Sequence, residues 1–404
     1  MKQKRNLFFL PFVTFVALAF AVNAQEPTSD QPDYDAIAQK IVNYALEVKP
    51  GEVVIISGTP AEMNLLGSLV VEVSKAGGKP TVEISIPKAN KRTLMETPIE
   101  YLELTNTYPL MQLRAADCFI ATGSIQDTKL YSDVPEERLA AIRKSNQLIN
   151  DASNRAHFRS VGLGQTGGIP TEAYAESMGA NYDELMTMFW KSLDVDYDKL
   201  LVTGKTLSNE LKPNTEIKIT SEAGTNLTLR ISDAPARINC GRCAENISAY
   251  GPAAVWLPAG EAYACVDPTS ASGTVAVPSM KIRGMVITNL KMTFDNGRIT
   301  DFKADENGEL ISKYLEMSTG DKDVLSIIDI GINPNSRPLK DSDHYSWEMA
   351  GMVTVSIGNN SWAGGNIVSD NGMIFHLANS TLSINGKKVI NQGQLELTEA
   401  IAGK

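Results

Sequence analysis

Apolar positions along the first half of the chain change period in a regular alternation. Ala36, Ile37, Ile41, Val42, Ala45 and Leu46 recur at helical spacing, and Pro50-Gly51 stops that helix. Val53-Val54-Ile55-Ile56 is a continuous apolar run, the signature of a strand buried on both faces. An amphipathic helix is predicted from Ala61 to Ala76, closed by Gly77-Gly78, and a strand from Pro80 to Ile86. Asp117 to Thr122 reads as another strand and Glu136 to Asn146 as another helix. Such alternation predicts parallel strands joined by crossover helices. From Ile169 to Gly204 the chain is helical, with Pro170 or Thr171 at a helix start.

The period then becomes two. Glu216 to Thr220 and Leu227 to Ile231 alternate around an Ala223-Gly224-Thr225 turn. Asn296-Gly297 and Asn385-Gly386 mark further hairpins, and β character persists to Leu397. The expected fold is an α/β N-terminal domain with a mainly parallel sheet (35–208), followed by a mainly β, α+β C-terminal domain (209–404).

The N-terminus changes the picture of location. Lys2, Lys4 and Arg5 precede an apolar stretch from Leu7 to Val22, and Val22-Asn23-Ala24 has the small residues of a cleavage site. Residues 1–24 are therefore expected to be a signal peptide and 25–34 a polar leader, which implies a periplasmic or secreted protein. No Cys follows the apolar stretch, so a lipid anchor is not expected. Beyond it no apolar run reaches about 18 residues, so no membrane span is expected after cleavage. A net charge of −10 argues against nucleic acid as a partner. The apolar fraction of 43% suffices for a sizeable core.

An exported chain meets an oxidising compartment, so cysteine pairing matters. Cys118 reads as a buried strand residue. Cys240-Gly241-Arg242-Cys243 leaves three readings open: an internal disulfide or inert thiols, a bridge from Cys240 or Cys243 to Cys265, or metal or redox work.

Leu257-Pro258-Ala259-Gly260-Glu261 places a carboxylate behind a Pro-x-Gly turn, which holds an acid at a fixed angle. This segment resembles the first metal-ligand motif of the aminopeptidase T family of metallo-aminopeptidases. Leu46 to Ile55, Ala76-Gly77-Gly78, Ile169 to Ala173, Ala223 to Thr228 and Ser272 to Val275 resemble other segments of that family, in the same order. The resemblance spans nearly all of the mature chain. It implies two divalent ions, zinc or cobalt, held by two Glu, two His and an Asp, with a Tyr near the scissile bond. It also implies a homodimer and a peptide substrate cleaved by metal-activated water.

Carried over position by position, Glu261 matches the first Glu and His376 the second His. The second Glu falls on Ile327, the first His on Thr354, the Tyr on Ser361 and the Asp on Ala378. Asp329 shares a strand face with Ile327 but lies about 6–7 Å along it. A substitute site of Glu261, Asp329, His344 and His376 is chemically reasonable for zinc, and Glu348 and Asp370 are further candidates. Each has a plainer reading: Glu261 as a turn carboxylate, His376 as a satisfied core histidine, His344 and His157 as solvated residues. Asp329, between Ile328 and Ile330, is costly to bury unless something pairs it.

The expected function is an exported metallo-aminopeptidase-like hydrolase that removes N-terminal residues from peptides by a metal-activated water. The alternative is an inactive homologue that binds a peptide or small molecule in the inherited cleft. A third use of the scaffold resembles the ring-cleaving iron dioxygenases for dihydroxypyridines, whose two-His, one-Asp set keeps only His376 here. A nucleophilic Cys265, four residues after Glu261, is a related option.

Overall fold

The computed structural model describes residues 32–164, 168–246, 252–282 and 285–396. The expected signal peptide and residues 25–31 of the polar leader lie outside the described residues. The described residues from Tyr34 onward form one compact unit.

The first sheet is parallel throughout, in the order Lys79–Ile84, Val53–Gly58, Cys118–Ala121, Arg159–Leu163 and Ala253–Leu257. Helices connect its strands because each amphipathic segment must bury one stripe. Met63–Lys75 does so with Leu65, Leu66, Leu69 and Val73. Its entry is built locally: Pro60 follows Thr59, whose hydroxyl accepts from the Ala61 N–H, while Glu62 accepts from the Thr59 N–H at 2.8 Å. The expected helix at residue 136 runs on to Arg155. The fifth strand, Ala253–Leu257, comes from beyond the helices Tyr182–Leu193 and Tyr197–Glu210 and from beyond the first hairpin.

The remainder is mostly antiparallel. Glu216–Thr220 and Asn226–Arg230 pair as expected inside an eight-stranded sheet. Asn296 and Gly297, with φ of 49° and 82°, turn Met285–Asp295 into Arg298–Lys303. A second antiparallel sheet has the order Gly372–Leu377, Val353–Gly358, Leu325–Gly331, Glu261–Cys265 and Arg237–Asn239. One face of it is apolar: Ala262, Ala264, Ile328, Ile330, Val353, Val355, Phe375 and Leu377 all join the main core. The alternate positions point the other way, and they carry the chemistry.

All four cysteines are buried free thiols. The Cys240–Cys265 and Cys243–Cys265 bridges entertained from the sequence are not made.

Candidate functional site

Pairing registers align one row of side chains across the second antiparallel sheet. Arg237 lies opposite Tyr263, Tyr263 opposite Asp329, Asp329 opposite Thr354, and Thr354 opposite His376. Cross-strand partners share a face, so all five stand on the same side. A second row holds Asn239, Glu261 and Gly331. Glu261 and Asp329 are thus diagonal neighbours, with Cα atoms about 7–8 Å apart.

The Pro-x-Gly turn sets Glu261 as the sequence suggested. Gly260 has φ of +136°, and a Cβ there would sit 2.7 Å from the Asn333 Cβ. Asn333 donates to the carbonyls of Ala259 at 2.6 Å and Ser192 at 3.0 Å, tying the turn to the helix behind it. Gly260 donates to Asn239 O and accepts from the Ile332 N–H, at 2.9 and 2.8 Å. The Asn239 amide donates to Trp256 O at 2.8 Å and reaches Glu261 Oε1 at 3.4 Å.

Glu261 and Asp329 face one cavity of about 460 Å³. Its walls include Trp256, Trp347, Trp362 and Tyr263, with Arg237 on the same lining. Trp256 lies over Gly162, where any Cβ would collide with the indole at 2.2 Å. Tyr263 and Trp362 pack at a tilt of 37° with ring centroids 5.6 Å apart.

Asp329 is fully buried, and neither carboxylate oxygen has a hydrogen-bond partner. Burial raises its pKa well above the carboxylate range, and the charges of Glu261 and Glu348 raise it further. An unsatisfied buried acceptor costs about 1–3 kcal/mol.

Neither His376 nor His344 lines that cavity. His376 Nδ1 is 2.9 Å from Thr354 Oγ1, and its ring meets Trp347 edge-on at 5.8 Å. Burial, then the charge of His344, lowers its pKa to about 3, so it is neutral. His344, expected in solvent, is buried: its Nδ1 is 2.9 Å from the Tyr174 hydroxyl, and burial lowers its pKa to about 4. It lines a separate small pocket with Glu348, which accepts from the Ser336 and Ser346 hydroxyls. Asp370 is exposed and accepts from the Thr319 N–H at 2.7 Å, and His157 is exposed. Cys265 is buried, and burial pushes its thiol up to about 11, which disfavours the thiolate a nucleophile needs.

Glu261 and Asp329 are therefore brought together, while His376 and His344 are not added to them. Asp329 stands nearer Glu261 than Ile327 does, since Gly331 is the partner of Glu261 and Cys265 that of Ile327. The displacement along the strand moves the acid toward the site. Ile327 packs in an apolar cluster with Tyr263, Cys265 and Ala363, and Ala378 packs against a separate one. Thr354 is occupied by His376, and the Ser361 hydroxyl donates to Asn359 at 2.8 Å. Among the described residues no group of three or more His, Cys, Asp or Glu is placed to hold a metal ion. Two carboxylates with isoleucine, threonine and alanine at the expected ligand positions do not fit a two-ion centre.

The sequence alone missed Asn239, Arg237 and the tryptophans. Tyr263 was within reach, two residues from Glu261 on a strand. Trp347 and Trp362 come from connecting segments, and no local spacing links them to the site.

Comparison with known proteins gives a consistent picture of the scaffold. Residues 30–325 match the thermophilic metalloprotease (M29) family. That match stops before Asp329, Thr354 and His376. No curated protein matches significantly. Among solved structures, wild-type AmpT from Thermus thermophilus is similar with a TM-score of 0.70 at 12% identity, over 90% of this chain and 99% of that one. The 2,5-dihydroxypyridine dioxygenase from Pseudomonas putida KT2440 is similar with a TM-score of 0.59 at 14% identity, over 92% and 99%. At these identities the likeness is one of fold.

Proposed function

We propose a ligand-binding role for this protein, which belongs to the thermophilic metalloprotease (M29) family: an exported binding protein that keeps the peptidase cleft and uses it without hydrolysis. The family implies a divalent metal. One observation carries the binding reading instead. The cleft holds two acids, Glu261 and Asp329, but the positions that would complete a metal centre hold Ile327, Thr354 and Ala378. Metal-activated hydrolysis needs at least three protein donors and an open position. A cavity of about 460 Å³ with aromatic walls is sized for a peptide end or a small molecule.

Export follows from the basic and apolar pattern of residues 1–24 and is tested by fractionating cells that express the chain with and without that segment. Homodimerisation is implied by the resemblance and is tested by light scattering. The decisive experiment is titration of the purified mature protein with short peptides, with turnover followed in the same samples after zinc or cobalt addition. Saturable binding without product supports the reading. Metal-dependent hydrolysis that Glu261→Ala abolishes would overturn it and restore the aminopeptidase-like activity expected from the sequence.

A further inference from the structure

Asp329 is the starting point. It is fully buried, it lines the cavity, and both its oxygens lack hydrogen-bond partners. Glu261 stands on the same face, diagonal to it, and lines the same space. Two acids this close repel each other when ionised, so the site favours an occupant that brings positive charge. Because the Asp329 oxygens are empty acceptors, the occupant must also donate hydrogen bonds.

Three kinds of cation could answer. A metal ion needs more donors than the described residues of the cavity supply. A quaternary ammonium brings charge but no N–H, and would leave Asp329 unsatisfied. A protonated primary amine brings charge and three N–H donors on one atom. The walls agree with an organic body behind that charge. Trp256 and Trp362 are about half exposed toward solvent, at 49% and 47%, and both line the cavity with Trp347. Indole faces attract both apolar groups and cations. Arg237 sets the orientation. It lies two strands from Asp329 in the same row, roughly 9–10 Å away between Cα atoms, and its charge repels an ammonium from that end.

We propose that this cavity recognises organic molecules through a protonated primary amine, which stands between Glu261 and Asp329, with the body of the ligand against Trp256, Trp347 and Trp362. This rests on the binding reading and names its ligand class. Free amines and peptide N-termini share the recognised group, and the experiment separates them.

The mature protein is titrated calorimetrically, in buffer containing chelator and no amine, with phenethylamine, its N-trimethylated derivative and phenethyl alcohol. The dipeptide Phe-Gly and its N-acetyl form follow, and zinc chloride is titrated separately without chelator. Binding of phenethylamine or Phe-Gly at least tenfold tighter than of the trimethylated, alcohol and acetylated forms is expected. The better of the two identifies the source of the amine. Asp329→Asn, checked for folding by circular dichroism, should weaken amine binding at least tenfold and leave any alcohol binding unchanged. Trp362→Ala, at an exposed position, should weaken every aromatic probe alike. Equal binding of acetylated and free peptide would overturn the amine inference and leave the binding reading standing. So would Asp329→Asn binding that matches the original. Stoichiometric zinc binding lost in Asp329→Asn would overturn the inference in favour of a metal. Absence of binding by every amine and peptide would sink both.

Discussion

Replacing Asp329 with Asn tests whether the site stores the free energy that its geometry implies. The carboxyl is fully buried, unpartnered, and close to the acids Glu261 and Glu348. Its folded-state pKa is raised well above that of the unfolded chain by burial first and by those charges second. The sign follows from linkage. Below the unfolded value the group is protonated in both states and costs nothing extra. As pH rises toward and through the folded value, the unfolded state loses its proton first, and stability declines. Each unit of separation is worth about 1.4 kcal/mol. Asn has nearly the same shape and no charge, so it escapes this decline. In protein freed of metal and amines, Asp329→Asn should be more stable than the original at pH 8, by about 1.4 kcal/mol for each unit by which folding raises the carboxyl pKa. The gain should shrink toward zero near pH 4. Urea unfolding of both proteins from pH 4 to 8 measures it. The difference between the two curves removes the parallel contribution of Glu348, whose pKa burial also raises. A variant less stable than the original at pH 8 would refute the reasoning, since it would mean that Asp329 is ionised and paired in the folded protein.

Three other outcomes follow from the same geometry. His344 has a folded pKa of about 4, below its unfolded value near 6.5, so it adds stability above pH 6.5 that is lost as pH falls toward 4. His344→Gln should flatten that limb by up to about 3 kcal/mol, read from unfolding between pH 4 and 7. Asn333→Ala removes the donors to Ala259 O and Ser192 O beneath the Glu261 turn and should cost about 2–4 kcal/mol by denaturant unfolding; a cost under about 0.5 kcal/mol would show that the turn does not depend on them. The four buried thiols should resist a disulfide-exchange reagent in the native protein and titrate as four after denaturation without reductant, whereas two or none would reveal a bridge.

The periodicities of this chain determined much of its architecture by themselves. Alternating helices and strands before about residue 205 and a two-residue period after it foretell a parallel and an antiparallel region, because burial on one stripe or on one face demands those spacings, but the parallel sheet takes its fifth strand, Ala253–Leu257, from beyond that point. The Asn-Gly pairs placed their hairpins, and Pro258 with Gly260 announced a constrained acid, since φ restrictions are local properties. The oddity of Asp329 among isoleucines was also visible along the chain. What no local pattern contains is register. Pairing Gly331 with Glu261, rather than Ile327, brings Asp329 to the acid and leaves a buried isoleucine at the expected ligand position. Register likewise gives His376 to Thr354, while packing of the 342–348 segment buries His344 beside Tyr174. The same tertiary contacts gather tryptophans from a strand and two connecting segments around one cavity. Sequence fixes which side chains are available on each strand. Only the summed free energy of packing all strands together decides which of them meet.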